Sequence, residues 1–484
     1  MTISAVKKLA MYINGEFVTD FNGIYRDVLN PATEEVIAHE PKGGTAEVDL
    51  AVAAAKQAQT EWEQTPAVQR GAYLRKIAQG IRAREQELTD TIVAEGGKTK
   101  ELAQVEVLFT ADYLDYQAEW ARRYEGEIIQ SDRSNENIFL FKRPHGVVAG
   151  ILPWNFPFFL IARKMGPALL TGNTIVIKPS SVTPINTYIF AEIAHAAGLP
   201  KGVFNVVNGA GAEIGNHLAQ HPQVDLVSLT GSVEAGRQVM IAAAQNITKV
   251  SLELGGKAPA IVLKDADLDL AVKSIVASRV INSGQVCNCA ERVYVHQDVH
   301  DAFVGKLTAA MQQVRFGNPA TAQDNLDMGP LVEKRAVDAV AAKVEKAVSQ
   351  GATLHLGGKR PQQKGFFFEP TILTNVKNDM DIMHEETFGP VLPVATFATL
   401  DEAVAMANNS VFGLTSSVYT ESLNDAFYVT RRLQFGETYI NRENFEAMQG
   451  FHAGWKQSGI GGADGKHGLE EYLLTQMVYL QTPR

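Results

Sequence analysis

The chain has 484 residues, 45% of them hydrophobic and 20% charged, with a formal net charge of -10. That length supports two or three domains with a large buried core, and the acidic balance argues against nucleic-acid partners. The start, "MTISAVKKLAMYING", lacks the apolar core of a signal peptide, and no run is long enough for a membrane span. With only two cysteines, the expectation is a soluble protein of the reducing cytoplasm.

In chain order, "MYINGEFV" places Asn-Gly between strand-like residues and predicts a hairpin. From Ala46 to about Glu125 apolar residues recur at helical spacing, and "NIFLFKRP" (Asn137 to Pro144) then alternates like a strand. Between Gly146 and Gly256 a strand–helix rhythm follows, with strand candidates "GVVAGILP", "NTIVIKPS", "VFNVVNG", "VDLVSLTGS" and "KVSLELGG". Such apolar strands alternating with helices predict an α/β fold with a parallel sheet covered on both faces. Ligands bind beyond the carboxyl ends of such strands, here Trp154-Asn155, Lys178, Gly209, Gly231-Ser232 and Glu253. A second α/β block begins at "APAIVLKDADLDL" and runs to about Trp455, and the tail "EEYLLTQMVYLQTPR" ends in a strand suited to pairing with another segment or subunit.

Several residues in this frame carry chemistry, each beside a plainer alternative. Gly209-x-Gly211-x-x-x-Gly215 departs from the dinucleotide spacing and is either a phosphate cradle or a set of loop glycines. Ser232 in "TGSVEAG" suits a helix cap as well as a ligand contact, and Lys178 suits a ribose or phosphate as well as a solvated strand end. Asn155, between two prolines, is an oxyanion donor or a turn residue. Glu253, in an otherwise apolar strand, is a general base of raised pKa or a solvent-facing strand end. Cys287 and Cys289 stand in "SGQVCNCAERV" with no histidine inside the stretch, so neither a metal site nor an i,i+2 disulfide suits them. Two core thiols, or a nucleophile with a neighbour, remain.

The stretches "ILPWNFP", "LTGSVEAG", "LELGGK", "GQVC", "EETFGPV" and "SGIGG" together resemble the aldehyde dehydrogenase superfamily, in its order and over essentially the whole chain. Within it, "RRYEGEIIQSDR", "NSGQVCNCAERV" and "YINRENFEAMQGFHAGWKQSGIGGADGKHG" are similar to members acting on lactaldehyde or glycolaldehyde. The resemblance implies a Rossmann-type nucleotide-binding domain (1–123 and 145–255), a catalytic α/β domain (256–455) and a small β oligomerisation element (124–144 and 465–484). It implies Cys287 as nucleophile, Asn155 with the Cys287 backbone N–H as oxyanion donors, and Glu253 as the base that releases the acid by hydrolysis rather than transfer to coenzyme A.

For an NAD or NADP cofactor the resemblance implies Ile151, Trp154, Lys178, Gly209, Gly231 and Ser232 at the adenosine and phosphate end, and Leu254, Glu386 and Phe388 at the nicotinamide end. Members that prefer NAD commonly carry a glutamate where Ser181 stands here, so NADP is expected to be accepted. Arg163, Asn288, Glu446 and His452 are placed around a small hydroxylated aldehyde, and a homotetramer built as a dimer of dimers is implied, with no metal. Three rivals remain: a semialdehyde dehydrogenase for an anionic aldehyde, a cysteine hydrolase without a redox cofactor, and a structural protein that retains the fold.

Overall fold

The computed structural model describes residues 6–19 and 23–483. Residues 1–5 and 20–22, within the expected nucleotide-binding segment, and residue 484, at the end of the terminal element, lie outside the described residues.

The strand–helix rhythm builds an eight-stranded sheet. Across it run Gly459–Ile460, Lys249–Glu253, Leu226–Thr230, Val147–Ile151, Thr174–Lys178, Phe204–Val206, Met11–Ile13 and Glu16–Val18. The five strands from Lys249–Glu253 to Phe204–Val206 are parallel, and the strands beyond them at each side are antiparallel. Strands Val147–Ile151 and Thr174–Lys178 are buried throughout, as a sheet covered on both faces requires. Register then aligns the chemistry: Ile151 lies beside Lys178, and Thr230 beside Glu253. The carboxyl ends of these strands form one edge, with helices Phe159–Leu170 and Val233–Ala243 starting from it.

A seven-stranded sheet follows, in the order Thr353–Leu356, Thr371–Thr374, Val391–Phe397, Ala290–His296, Ala258–Val262, Thr415–Tyr419 and Glu437–Ile440. The two cysteines lie where helix Leu268–Val280 passes into strand Ala290–His296. There Asn282, Ser283 and Gly284 adopt successive positive φ angles of 47°, 58° and 77°. Two non-glycine residues in this conformation store strain, which the Ser283 Oγ bond to the Gly329 carbonyl (2.9 Å) helps to hold.

The terminal strand Leu473–Gln481 pairs antiparallel with Glu136–Pro144, within the same chain, along nine residues. Glu127–Gln130 completes this three-stranded sheet, which leaves Ile128, Phe141, Tyr479 and Leu480 exposed. Gly459–Ile460, which falls between the expected ranges 256–455 and 465–484, pairs with Leu252 and Glu253 of the first sheet. A further small sheet joins Lys7–Lys8, Val36–Pro41 and Tyr25–Leu29.

Candidate active site

Cys287, Asn155, Glu253, Arg163, Asn288, Glu446 and His452 all line one narrow cavity of about 60 Å³, walled by Phe109, Phe156, Phe159 and Phe445. Residues separated by almost 300 positions are therefore one site. The two cysteines divide. Cys287 is partly exposed to this cavity, whereas Cys289 is fully buried, donates to the Val286 carbonyl at 2.9 Å, and is pushed by burial to a pKa of about 12. Burial raises the Cys287 thiol too, but His452 beside it draws it partly back.

Asn155 is buried at the start of the turn after strand Val147–Ile151. Its Nδ2 donates to the Gln285 carbonyl at 3.1 Å, and its Oδ1 accepts from Phe156 N at 3.1 Å. Asn282 Nδ2 donates in turn to the Asn155 carbonyl at 3.2 Å. The amide is thus oriented by the same strained turn that delivers Cys287, and one of its two N–H donors remains for an oxyanion.

Glu253 is not a solvent-facing strand end. It is 6% exposed, and its Oε2 accepts from Thr230 Oγ1 at 3.0 Å. The expected rise in its pKa does not occur. Burial pushes the carboxyl up, but Arg163, Lys164 and His452 outweigh it and hold the group below the ordinary glutamate value. Glu253 is thereby held as an ionised carboxylate.

Arg163 anchors the far wall. Its guanidinium makes two bonds to Asp464, from Nε at 3.1 Å to Oδ1 and from Nη2 to Oδ2, and reaches Glu446 at 3.3 Å and Glu253 at 4.0 Å. Asn288 Nδ2 donates to the other oxygen of Glu446. His452 Nδ1 lies 2.5 Å from Glu437 Oε1. Burial and Arg163 oppose a charge on that ring, yet Glu437 and the thiol outweigh them and hold its pKa well above the ordinary histidine value. Asp464, Glu437 and Lys164 were not singled out from the sequence. Their signal was weak, since Asp464 lies in "GGADG" and Glu437 in a strand that reads as ordinary.

A second, wider cavity of about 510 Å³ shares Asn155, Thr230 and Cys287 with the first. Trp154, Gly231, Ser232, Leu254, Glu386 and Phe388 line it. Phe388 meets Trp154 edge to face at 5.5 Å, from a backbone with φ of 53°. Glu386 Oε1 accepts from Gly256 N at 2.9 Å, and burial with the nearby Glu291 raises its pKa to about 7. Glu291 also ties the adjoining turn, accepting from Thr387 N at 2.9 Å and Phe388 N at 3.1 Å while pairing with Lys257 and Arg279. Ser232 is a helix cap, accepting from Ala235 N at 3.2 Å. Ile151 is buried at its strand end beside Lys178, and Gly209 leads into a wide π-type turn over Gly211–Gly215.

These residues fit a dinucleotide. Lys178 is 4% exposed and lowered by burial to about 8, and among the described residues its Nζ donates only to the Pro179 carbonyl, at 2.7 Å. Two of its donors are left for a ribose or phosphate. A Cβ on Gly255 would stand 2.6 Å from Glu386, so that approach is kept open by glycine. No cluster of metal-ligating side chains exists among the described residues.

The fold and the paired cavities define an oxidoreductase that joins a thiol to a nucleotide cleft, and comparison with known proteins agrees. The model of the aldehyde dehydrogenase family matches residues 19–478. Lactaldehyde dehydrogenase of Escherichia coli (strain K12) is 63% identical over 472 residues, covering 98% of each chain. The 3,6-anhydro-alpha-L-galactose dehydrogenase of Vibrio sp. (strain EJY3) is 45% identical, over 98% of this chain and 99% of the relative. A crystal structure of the Escherichia coli lactaldehyde dehydrogenase superposes with a TM-score of 0.98, covering 99% of this chain and 100% of that one. The chain belongs to the aldehyde dehydrogenase family and is an enzyme that oxidises an aldehyde to the acid with NAD or NADP.

Proposed function

We propose that the substrate is a small, uncharged, hydroxylated aldehyde of the lactaldehyde or glycolaldehyde type. The observation that carries this reading is the charge balance around Arg163. Asp464, Glu446 and Glu253 surround its guanidinium, so it is neutralised before any substrate enters. An anionic semialdehyde would meet this excess of carboxylate, whereas a hydroxyl finds donors and acceptors in Asn288, Glu446 and His452. The narrow cavity and its phenylalanine walls disfavour longer chains.

In the reaction, the Cys287 thiol gives up its proton to solvent, and the resulting thiolate attacks the aldehyde carbon, whose C=O electron pair moves onto oxygen to form a tetrahedral adduct. The spare N–H of Asn155 and the Cys287 backbone N–H donate to the oxyanion. Bound NAD or NADP supplies the acceptor for the hydride that leaves this carbon, and the acyl group remains on sulfur as a thioester. Glu253, already ionised, takes a proton from water so that hydroxide character develops on its oxygen, and collapse of the second adduct releases the acid and the thiolate. Lys178, Gly209, Gly231, Trp154, Leu254, Glu386 and Phe388 hold the cofactor.

The test is a panel of small aldehydes, following the absorbance of the reduced nicotinamide. Lactaldehyde is expected to exceed propanal in kcat/KM, and His452→Phe and Asn288→Leu are expected to narrow that ratio by about tenfold. An unchanged ratio in both variants defeats the polar-pocket reading.

Three further proposals rest on the same frame. The sheets divide into nucleotide-binding (1–123 and 145–255), catalytic (256–455) and oligomerisation (124–144 and 465–484) parts. The exposed apolar residues of the three-stranded sheet support a homotetramer assembled as a dimer of dimers, which light scattering of the purified protein checks. Two free thiols suit the cytoplasm.

A further inference from the structure

A buried carboxylate that no sequence motif marked stands against the Gly209 loop, outside the lining of the wide cavity. Glu40 lies in strand Val36–Pro41 of the small N-terminal sheet and is 2% exposed. Just beyond it, Gly43 bridges to Gly209 and donates to the Asn208 carbonyl at 2.9 Å, so this segment runs directly against the loop after strand Phe204–Val206. Asn208 Nδ2 donates to Glu40 Oε1 at 3.0 Å. Burial holds the Glu40 carboxyl above the ordinary glutamate value, and Asn208, Lys178, Arg26 and Ser181 offset only part of that rise. The Asn208 bond and the Gly43–Gly209 bridge thus fix the carboxylate against the Gly209 loop, within electrostatic reach of Lys178. Ser181 Oγ itself donates to the Gly209 carbonyl at 3.1 Å, on the same loop.

We propose that Glu40 selects NAD over NADP, placing beside Ser181, from a distant part of the chain, the negative charge that Ser181 itself lacks. The inference rests on the cofactor assignment above and deepens it. A ribose diol can donate to a carboxylate fixed by Asn208. A 2′-phosphate brings close to two negative charges beside that buried carboxylate, and the single Lys178 ammonium cannot neutralise both. Arg26 pairs with Glu40 across the strands, but its side chain is exposed and salt screens it. The absence of a glutamate at Ser181 is thus not by itself a licence for NADP, because the charge arrives from another element.

The test is binding to the free enzyme, read by quenching of the protein's tryptophan fluorescence and by calorimetry, with NAD and NADP in turn. The wild-type protein is expected to bind NAD at least about tenfold more tightly than NADP. Glu40→Gln keeps an acceptor for Asn208 and is expected to tighten NADP binding about tenfold while weakening NAD a few-fold. Thermal melting checks that the variant is folded, and the wild-type ratio is a test that needs no variant. If the wild type binds NADP as tightly as NAD, or if folded Glu40→Gln leaves the ratio unchanged, Glu40 is not the selector and the inference is overturned. A loss of NADP binding in Arg26→Ala with no change in Glu40→Gln assigns the control to Arg26 instead. If neither dinucleotide binds, the cofactor assignment itself fails, a result distinct from equal binding.

Discussion

The two cavities that meet at Cys287 are built on opposite plans. The aldehyde end encloses about 60 Å³ and is framed by interlocked charges, Arg163 with Asp464, Glu446 and Glu253, and His452 with Glu437. The dinucleotide end opens to about 510 Å³ and is framed mainly by glycines, strand ends and two aromatic rings. The difference suits the two ligands proposed above. A dinucleotide offers many contacts, so backbone and shape suffice to hold it. A small aldehyde offers one carbonyl and one hydroxyl, so discrimination must come from buried groups that penalise a poor match. The narrow end therefore depends on few side chains, each tied to others, and the wide end spreads its binding over many.

That contrast is broken most directly at the shared atom. Cys287→Ser is expected to lower turnover by at least about 10⁴-fold, whereas Cys289→Ser is expected to stay within about twofold, measured as steady-state kcat. The reverse result would reassign the nucleophile. Next in size is the charge cluster. Arg163→Leu leaves Asp464 buried without its cation, and a loss of about 3–5 kcal/mol in unfolding free energy is expected from denaturant titration. A comparable truncation in the wide cleft, Ser232→Ala, removes one helix cap and is expected to cost about 1 kcal/mol. Equal costs at the two sites would end the distinction between an interlocked and a distributed cavity. At the oxyanion, Asn155→Ala is expected to reduce kcat by about 10²–10³-fold with little change in the affinity for NAD.

The two ends also differed in how far the sequence disclosed them. The parallel sheet and the residues at its strand ends, Asn155, Lys178 and Glu253, were legible because strand periodicity and turn residues are local signals. The wide cavity takes Trp154, Asn155, Gly231, Ser232 and Leu254 from the turns at those ends, positions that motif spacing and the family resemblance already mark. The aldehyde end was legible only in part. Asp464 and Glu437 contribute because long-range packing sets them against Arg163 and His452, and nothing in their local sequence marks that. Glu253 shows the same limit in its chemistry: its position was readable, but the sign of its pKa shift depends on Arg163, Lys164 and His452, none adjacent to it in sequence. Glu40 failed to register for an equivalent reason, since a glutamate in a partly exposed small sheet carries no signature of the loop it meets.

The smallest effect expected concerns pH, and it separates the two acid–base groups of the narrow cavity. Glu253 is held below the ordinary glutamate value, so it stays ionised throughout the neutral range and contributes no acid limb there. The Cys287 thiol is held above its ordinary value, by burial opposed by His452, so its ionised fraction is small at neutral pH and rises toward alkaline pH. The rate of Cys287 alkylation by iodoacetamide in the free enzyme is therefore expected to climb from pH 7 through pH 9 by about tenfold per unit while the thiol remains mostly protonated. His452→Phe removes the cation that draws the thiol down, and the same curve should move to higher pH, slowing alkylation at pH 8 by about two- to tenfold. Glu437→Gln should move it in the same direction by less, because the imidazole remains but loses the carboxylate that favours its charge. A curve that moves to lower pH in either variant would show that the ring does not act as a cation toward the sulfur. In that event the interlocked charges of the narrow cavity order the substrate alone and leave the nucleophile to burial.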